Sequence, residues 1–237
     1  MLLFYIRHGD PIYDPDCLTP LGERQAEAVA KRLALYGIDE IYASTSNRAQ
    51  LTAKPTAEML KKDIQLLDFC DESHAWKEFA IDDGSGCDWI FHKPQFRMKL
   101  ASGDIAMLGD RWYEHPDFQK YKFGYGVQRV NRELDRFIFA LGYEHHREQR
   151  AYRAVSPNNK RVAIFAHQGF GISFLSSILD VPYPIIANHF DMCHTGMTVI
   201  EFSDKIGITI PKTLTVSNDS HLYREGLPTK YNNQTMF

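Results

Sequence analysis

Short apolar runs alternate with amphipathic stretches along this chain. Leu2-Leu3-Phe4-Tyr5-Ile6 predicts a buried strand of a parallel or mixed sheet. Thr19-Pro20 offers an N-cap and a proline at the first helical position. Ala26, Val29, Ala30 and Leu33 then recur at helical spacing until Gly37 stops the helix. Glu40 to Ala43 predicts a second strand, and Ile64 to Phe69 a third. Between them Ser44 to Lys61 reads as a helix, with Pro55 imposing a kink or a late start. This order predicts an α/β fold: a three-layer α/β/α sandwich around a mostly parallel, doubly wound sheet with right-handed crossovers. Residues 72 to about 124 break the rhythm. They carry Gly84-Ser85-Gly86 and the aromatics Trp89, Phe91, Phe96, Trp112, Tyr113 and Tyr121. We expect an aromatic-rich, partly helical cap insertion over the sheet's ligand edge.

Beyond it, Gly124 to about His146 reads as a helix with Val127, Val130, Leu134, Phe137, Ile138 and Leu141 on one face. Arg147 to Lys160 reads as a polar link, and Arg161 to Ala166 as a second core strand. A helix over Gly169 to Leu179, a loop at Pro182 and Pro184, a strand from Met197 to Phe202 and an edge strand from Lys212 to Val216 follow. The tail from His221 has little pattern. A single domain over residues 1–237, with the cap at about 72–124, is the expected organisation.

Composition narrows the function classes. A net charge of −3, from 27 basic and 30 acidic residues, argues against a general nucleic-acid or membrane-surface binder. No apolar run approaches a membrane span. The start lacks a basic n-region and reads as mature protein. Cys17, Cys70, Cys87 and Cys193 are scattered, as reduced thiols of a cytoplasmic protein would be. Cys193-His194, near His189 and Asp191, reads as a loop and strand start rather than a metal site.

Chemistry begins where the first strand ends. Arg7-His8-Gly9 follows it at once, and ligands of open α/β sheets sit outside the carboxyl ends of strands. Arginine presents a planar fork of donors that suits phosphate oxygens, and a neutral imidazole can attack phosphorus. Gly9 is expected to let the backbone approach the ligand. Ser44-Thr45-Ser46-Asn47-Arg48-Ala49 and Phe165-Ala166-His167-Gln168-Gly169 follow two further strands. Convergent strand ends would gather Arg7, His8, Arg48 and His167 around one small anion. Arg48 sits near a helix N-terminus, a poor place for a cation, so an anionic partner is expected there. No Gly-x-x-x-x-Gly-Lys-Ser/Thr stretch marks a P-loop.

With these segments and Leu18-Thr19-Pro20-Leu21-Gly22-Glu23-Arg24-Gln25-Ala26, the chain resembles the histidine phosphatase superfamily. That superfamily includes the cofactor-dependent phosphoglycerate mutases. The resemblance spans roughly residues 1–70 and 160–203. It implies a phosphoglycerate mutase-like domain, His8 as the phosphorylated nucleophile, and Arg7, Arg48 and His167 as phosphate ligands. Ser44 and the backbone near Gly169 are expected to add donors at a helix start. The general acid should follow the third strand, where Asp71, Glu72 and Glu78 stand. Glu72 fits best and Glu78 is the runner-up, although Ser73-His74-Ala75-Trp76 replaces the family's pattern there. His74 reads as a surface or packing residue. His8, Glu72 and His167 thus form the expected catalytic set.

The resemblance implies no cofactor and no metal, because the cations are built in. The expected partner is a small phosphomonoester. Mutases of the superfamily carry a longer loop and a Trp-Asn pair after Arg-His-Gly, where this chain has Asp10-Pro11-Ile12-Tyr13-Asp14-Pro15. A phosphatase is therefore expected. The alternatives are a mutase-type phosphotransferase or a phosphate-binding regulatory protein without turnover. The cap's aromatics are expected to form its own small core, with a pocket for an apolar or ring-bearing leaving group as the alternative.

Overall fold

In a computed structural model that describes residues 1–232, six strands form the central sheet. They are β1 (Leu2–Arg7), β2 (Glu40–Ser44), β3 (Ile64–Leu67), β4 (Arg161–Ala166), β5 (Met197–Glu201) and β6 (Lys212–Asn218). Their spatial order is β6-β5-β1-β4-β2-β3. The pairs β1–β4, β4–β2 and β2–β3 are parallel, whereas β5 is antiparallel to both β1 and β6. The main helices are α1 (Pro20–Tyr36), α2 (Asn47–Leu60), α3 (Glu72–Phe79), α4 (Phe123–Ala140), α5 (Gln168–Leu179) and α6 (Tyr183–His189). No helix among the described residues is long and apolar enough to cross a membrane.

Strand periodicity divides the core in two. Phe4 and Ile6 of β1 pack with Val29, Leu33 and Ala53 of α1 and α2 on one face. Leu3 and Tyr5 join Leu134, Phe170 and Phe174 of α4 and α5 on the other. The result is the expected α/β/α sandwich. Thr19 caps α1 by accepting from the Gly22 N–H at 3.0 Å, and Gly37 closes it with φ of 72°. Helix α2 begins at Asn47, three residues after the expected Ser44, and carries Pro55 in its interior. The third strand is shorter than expected, because Asp68–Cys70 turns into a 3-10 helix.

Four expectations are corrected. The helical spacing read to His146 ends at Ala140. Gly142 lies at φ of 101°, and a Cβ there would come within 2.2 Å of the Ser156 carbonyl oxygen. The chain turns at this point, and Tyr143–His146 pairs antiparallel with Ala151–Ala154. The supposed polar link 147–160 thus supplies a strand, and Gly207–Thr209 pairs with it to complete a second, three-stranded sheet. Pro182 and Pro184 start α6 rather than a loop, since proline is tolerated in a helix's first turn. Finally, the cap's aromatics do not form a separate core. Trp112 stacks on Tyr183 of α6 at 5.1 Å, and Phe79, Trp112, Phe118 and Phe123 join the apolar cluster that contains β1 and α5.

Candidate active site

Sheet register builds the site. Arg7 is level with Ala166 in the parallel β1–β4 pair, so the next residues, His8 and His167, leave the sheet side by side. Their ring centroids are 5.2 Å apart. The Tyr5 hydroxyl pins the second strand end, donating to the His167 carbonyl at 2.6 Å and accepting its N–H at 3.2 Å. Antiparallel β5 sends the Cys193–Gly196 turn back against the same edge, where the Thr195 N–H donates to the Arg7 carbonyl.

The His8 Nδ1–H donates to its neighbour's carbonyl, Gly9, at 2.7 Å. A carbonyl only accepts, so the neutral ring keeps its proton on Nδ1 and leaves Nε2 with a lone pair. Burial, then the fields of His167, Arg7 and Arg48, hold the His8 pKa well below the ordinary 6.5. At neutral pH this imidazole is uncharged. His167 is likewise held far below 6.5, chiefly by burial and then by Arg48, which donates to its Nδ1 at 3.1 Å. Its Nε2–H then donates to Ser44 Oγ at 2.8 Å.

Arg7 is wholly buried. Its guanidinium donates to the Met192 carbonyl (2.5 Å), His194 Nε2 (2.9 Å) and Asn232 Oδ1 (2.5 Å), while Nε has no partner among the described residues. Arg48 pairs with Asp16 at 2.7 Å and lies 5.3 Å from the Tyr13 ring centroid, its Nε also unpartnered. The anionic partner expected for Arg48 is thus met inside the protein by Asp16. Two buried guanidiniums line one cavity, and each keeps an Nε–H with no partner among the described residues, an arrangement that can receive an anion.

Glu72 is the first residue of α3, and its carboxylate crosses to the N-terminus of α5. It accepts the Gly169 N–H at 2.9 Å and the Phe170 N–H at 2.8 Å. Burial raises its pKa above 4.5, opposed by these two donors and by Arg48 and Arg7. Arg7, His8, Arg48, Asp71 and Glu72 line one cavity of about 640 Å³, together with Tyr13, Asp16, Ser46, Trp76, Asp88, Trp89 and Asn232.

Other expectations change. Ser44 and His167, both expected at the phosphate, are fully buried and do not line the cavity, the two ring nitrogens of His167 being engaged by Arg48 and Ser44; Ser46 does line it. The Gly169 backbone donor is engaged by Glu72. Gly9 serves packing rather than ligand approach, since a Cβ there would fall 2.6 Å from the Gly22 carbonyl oxygen. Glu78 lies away from the cavity in a buried two-pronged pair with Arg129, at 2.5 and 2.8 Å. Asp71 caps α3 on the Ser73 N–H and accepts from Thr45. His74 pairs with Asp68 at 3.2 Å, as a surface residue would.

His194 was missed. Its ring lies 5.8 Å from that of His8, and it stands between Arg7 and Asp10, whose Oδ1 is 3.4 Å from its Nδ1. The signal was the polar run Asp191–Thr195 just before a strand, legible only once β5 is known to be antiparallel to β1. Asp16 and Asn232 were missed as well, each being an isolated polar residue in a loop. Among the described residues no group of three or more His, Cys, Asp or Glu is placed to hold a metal ion.

Residues 3–78 match the model of the histidine phosphatase superfamily, branch 1. The chain has the fold of that superfamily and, over its first third, its sequence pattern. Three solved relatives share the fold. Phosphoserine phosphatase of Entamoeba histolytica, solved with 3-phosphoglyceric acid, superposes with a TM-score of 0.59 at 19% identity, over 93% of this chain and 98% of that one. The alpha-ribazole phosphatase of Shigella flexneri gives 0.58 at 17% identity, over 92% and 97%. A mycobacterial glucosyl-3-phosphoglycerate phosphatase, solved with inorganic phosphate, gives 0.53 at 15% identity, over 93% and 98%. No curated protein sequence matches the chain.

Proposed function

We propose that this protein is a phosphomonoester hydrolase that acts on a small phosphorylated metabolite through a phosphohistidine on His8. One observation carries the reading: a neutral imidazole, with its proton held on Nδ1 by Gly9, lines a cavity beside two buried guanidiniums. Arg7 and Arg48 bind the phosphoryl oxygens, His167 holds Arg48 in place through its Nδ1, and His8 Nε2 attacks phosphorus in line. As the P–O bond to the alcohol breaks, Glu72 gives its proton to the leaving oxygen. A raised pKa suits that donor role. Water then attacks the phosphohistidine, Glu72 takes its proton, and the P–N bond breaks to release inorganic phosphate. A single phosphoglycerate mutase-like domain with an inserted cap is the organisation that fits this reading.

The test is release of inorganic phosphate from an aryl phosphate in the presence of EDTA, for the wild type and for His8→Ala. Turnover that survives EDTA and falls by at least about 10³-fold in the variant is expected, since removing a nucleophile leaves only binding and electrostatic catalysis. Turnover unchanged by the substitution would remove His8 from the mechanism.

A further inference from the structure

A phosphoryl group at Arg7, His8 and Arg48 fills only the floor of a cavity of about 640 Å³. Three large aromatic rings, Tyr13, Trp76 and Trp89, line the space left, among polar side chains such as Ser73, His92 and Gln168. Trp89 is fixed: it stacks on Phe91 at 5.4 Å, and only a glycine at 169 fits beneath it, since a Cβ there would lie 2.3 Å from the indole. Trp76 meets Trp89 at 5.0 Å and 90°, and 38% of its surface stays exposed. Tyr13, 61% exposed, lies over Arg48.

The charges point the same way. Among the described residues, Arg7 and Arg48 are the only arginines or lysines lining the cavity, and both are committed to the phosphate site. The carboxyl groups there are those of Glu72, the proton donor of the proposed reaction; Asp16, paired with Arg48; Asp71; and Asp88, which pairs with the His92 ring at 3.1 Å. Arg97 belongs to an adjoining cavity, where it donates to the Asn188 carbonyl. A second anionic group on a substrate would therefore meet Asp71 and Asp88 with no further arginine or lysine among the described lining residues, and juxtaposed like charges are disfavoured.

We infer that the leaving alcohol is an uncharged, flat ring system seated against Trp76, and that phosphoesters carrying a carboxylate or a second phosphate are discriminated against. The inference rests on the phosphatase reading. It separates this chain from the structural relative solved with 3-phosphoglyceric acid, a carboxylate-bearing ligand.

Three alkyl esters of similar leaving-group chemistry test it: 2-phenylethyl phosphate, glycerol 3-phosphate and 3-phosphoglycerate. The phenylethyl ester should exceed 3-phosphoglycerate in kcat/KM by at least about tenfold, the scale of discrimination one apolar subsite supplies. Trp76→Ala should cost the phenylethyl ester about tenfold, mainly in KM, and leave glycerol 3-phosphate within about twofold. Trp76→Phe, which keeps a ring, should retain the preference. Asp88→Lys, which supplies the missing cation, should raise kcat/KM for 3-phosphoglycerate. Equal or better turnover of 3-phosphoglycerate by the wild type, or an equal loss for all three esters in Trp76→Ala, overturns the inference and leaves the phosphatase reading standing. Calorimetric affinities separate the two ideas. Absence of turnover for every ester would sink the phosphatase reading, whereas 2-phenylethyl phosphate binding no tighter than 3-phosphoglycerate would sink the ring subsite.

Discussion

The arginine that follows the first strand does not hold its own position. Arg7 is oriented by His194, whose Nε2 must accept because a guanidinium only donates. The His194 proton therefore sits on Nδ1, 3.4 Å from Asp10, and Lys230 fixes Asp10 from the other side at 2.7 Å. Burial, and next the charge of Arg7, push the His194 pKa down to about 2, so it stays a neutral acceptor at any working pH. His194→Ala leaves a buried guanidinium donor unpaired and lets Arg7 drift from the phosphate position. Losing a hydrogen bond to a charged group costs about 1.5–3 kcal/mol, so affinity for inorganic phosphate should weaken by roughly 10- to 100-fold. His194→Asn, which restores an acceptor, should recover part of it. Phosphate inhibition constants check this, with circular dichroism confirming the fold. An inhibition constant unchanged in the alanine variant would mean that His194 only fills space.

Among the elements, α3 carries two glutamates in different settings, and the sequence ranked Glu72 ahead of Glu78 without showing what holds each. Glu72 and Glu78 both follow the third strand, but six residues along a helix place them on different sides. Glu72 reaches the N-terminus of α5, while Glu78 ties α3 to α4 through Arg129, both side chains nearly fully buried. Removing one partner of a buried pair strands the other charge, so Glu78→Ala should lose about 3–5 kcal/mol of stability, measured by urea unfolding. The double variant Glu78→Leu with Arg129→Met should recover much of that loss. A single variant as stable as the wild type would make the pair dispensable. The same limit explains what was legible. The strands that end at Arg7 and Ala166, just before His8 and His167, announced themselves, because a continuous apolar run followed by polar residues needs no partner to be read. The helices α1 and α5 were legible for a similar reason: caps and periodicity are local. Tyr143–His146 and Ala151–Ala154 were not, because their pairing depends on a turn at Gly142 that clears the distant Ser156 carbonyl. His194, Asp16 and Asn232 were illegible for the same cause, since each reaches the site only through the packing of separate loops.

At the scale of the whole molecule, a polar cluster on the far side of α4 links three elements and sets a pH range for stability. The His145 ring is enclosed between Asp135 of α4 at 2.8 Å and Asp180, just past α5, at 2.9 Å, and it stacks on Tyr152 at 3.9 Å. Arg147 adds a second cation at 2.7 Å from Asp135. Burial alone would lower the His145 pKa, but the bonds to Asp135 and Asp180 outweigh it and raise the value above the ordinary 6.5. The folded state therefore holds this proton more tightly than the unfolded chain. That stabilisation is complete below about pH 6.5 and is lost as pH climbs through the folded value. Asp135 moves oppositely. Burial would raise its pKa, yet His145 and Arg147 together take it below 3.8, so its contribution is present above that pH and lost as acid takes the folded carboxylate through its own pKa. The cluster stabilises most between these limits. Each tenfold difference in proton affinity is worth about 1.4 kcal/mol. Unfolding midpoints in urea should fall between pH 6 and pH 9 for the wild type. His145→Gln should begin lower at pH 6 and lose much less over the same interval, because it has no proton to release. Parallel slopes for the two proteins would mean that the pH dependence arises elsewhere in the chain and that His145 is held as a neutral ring.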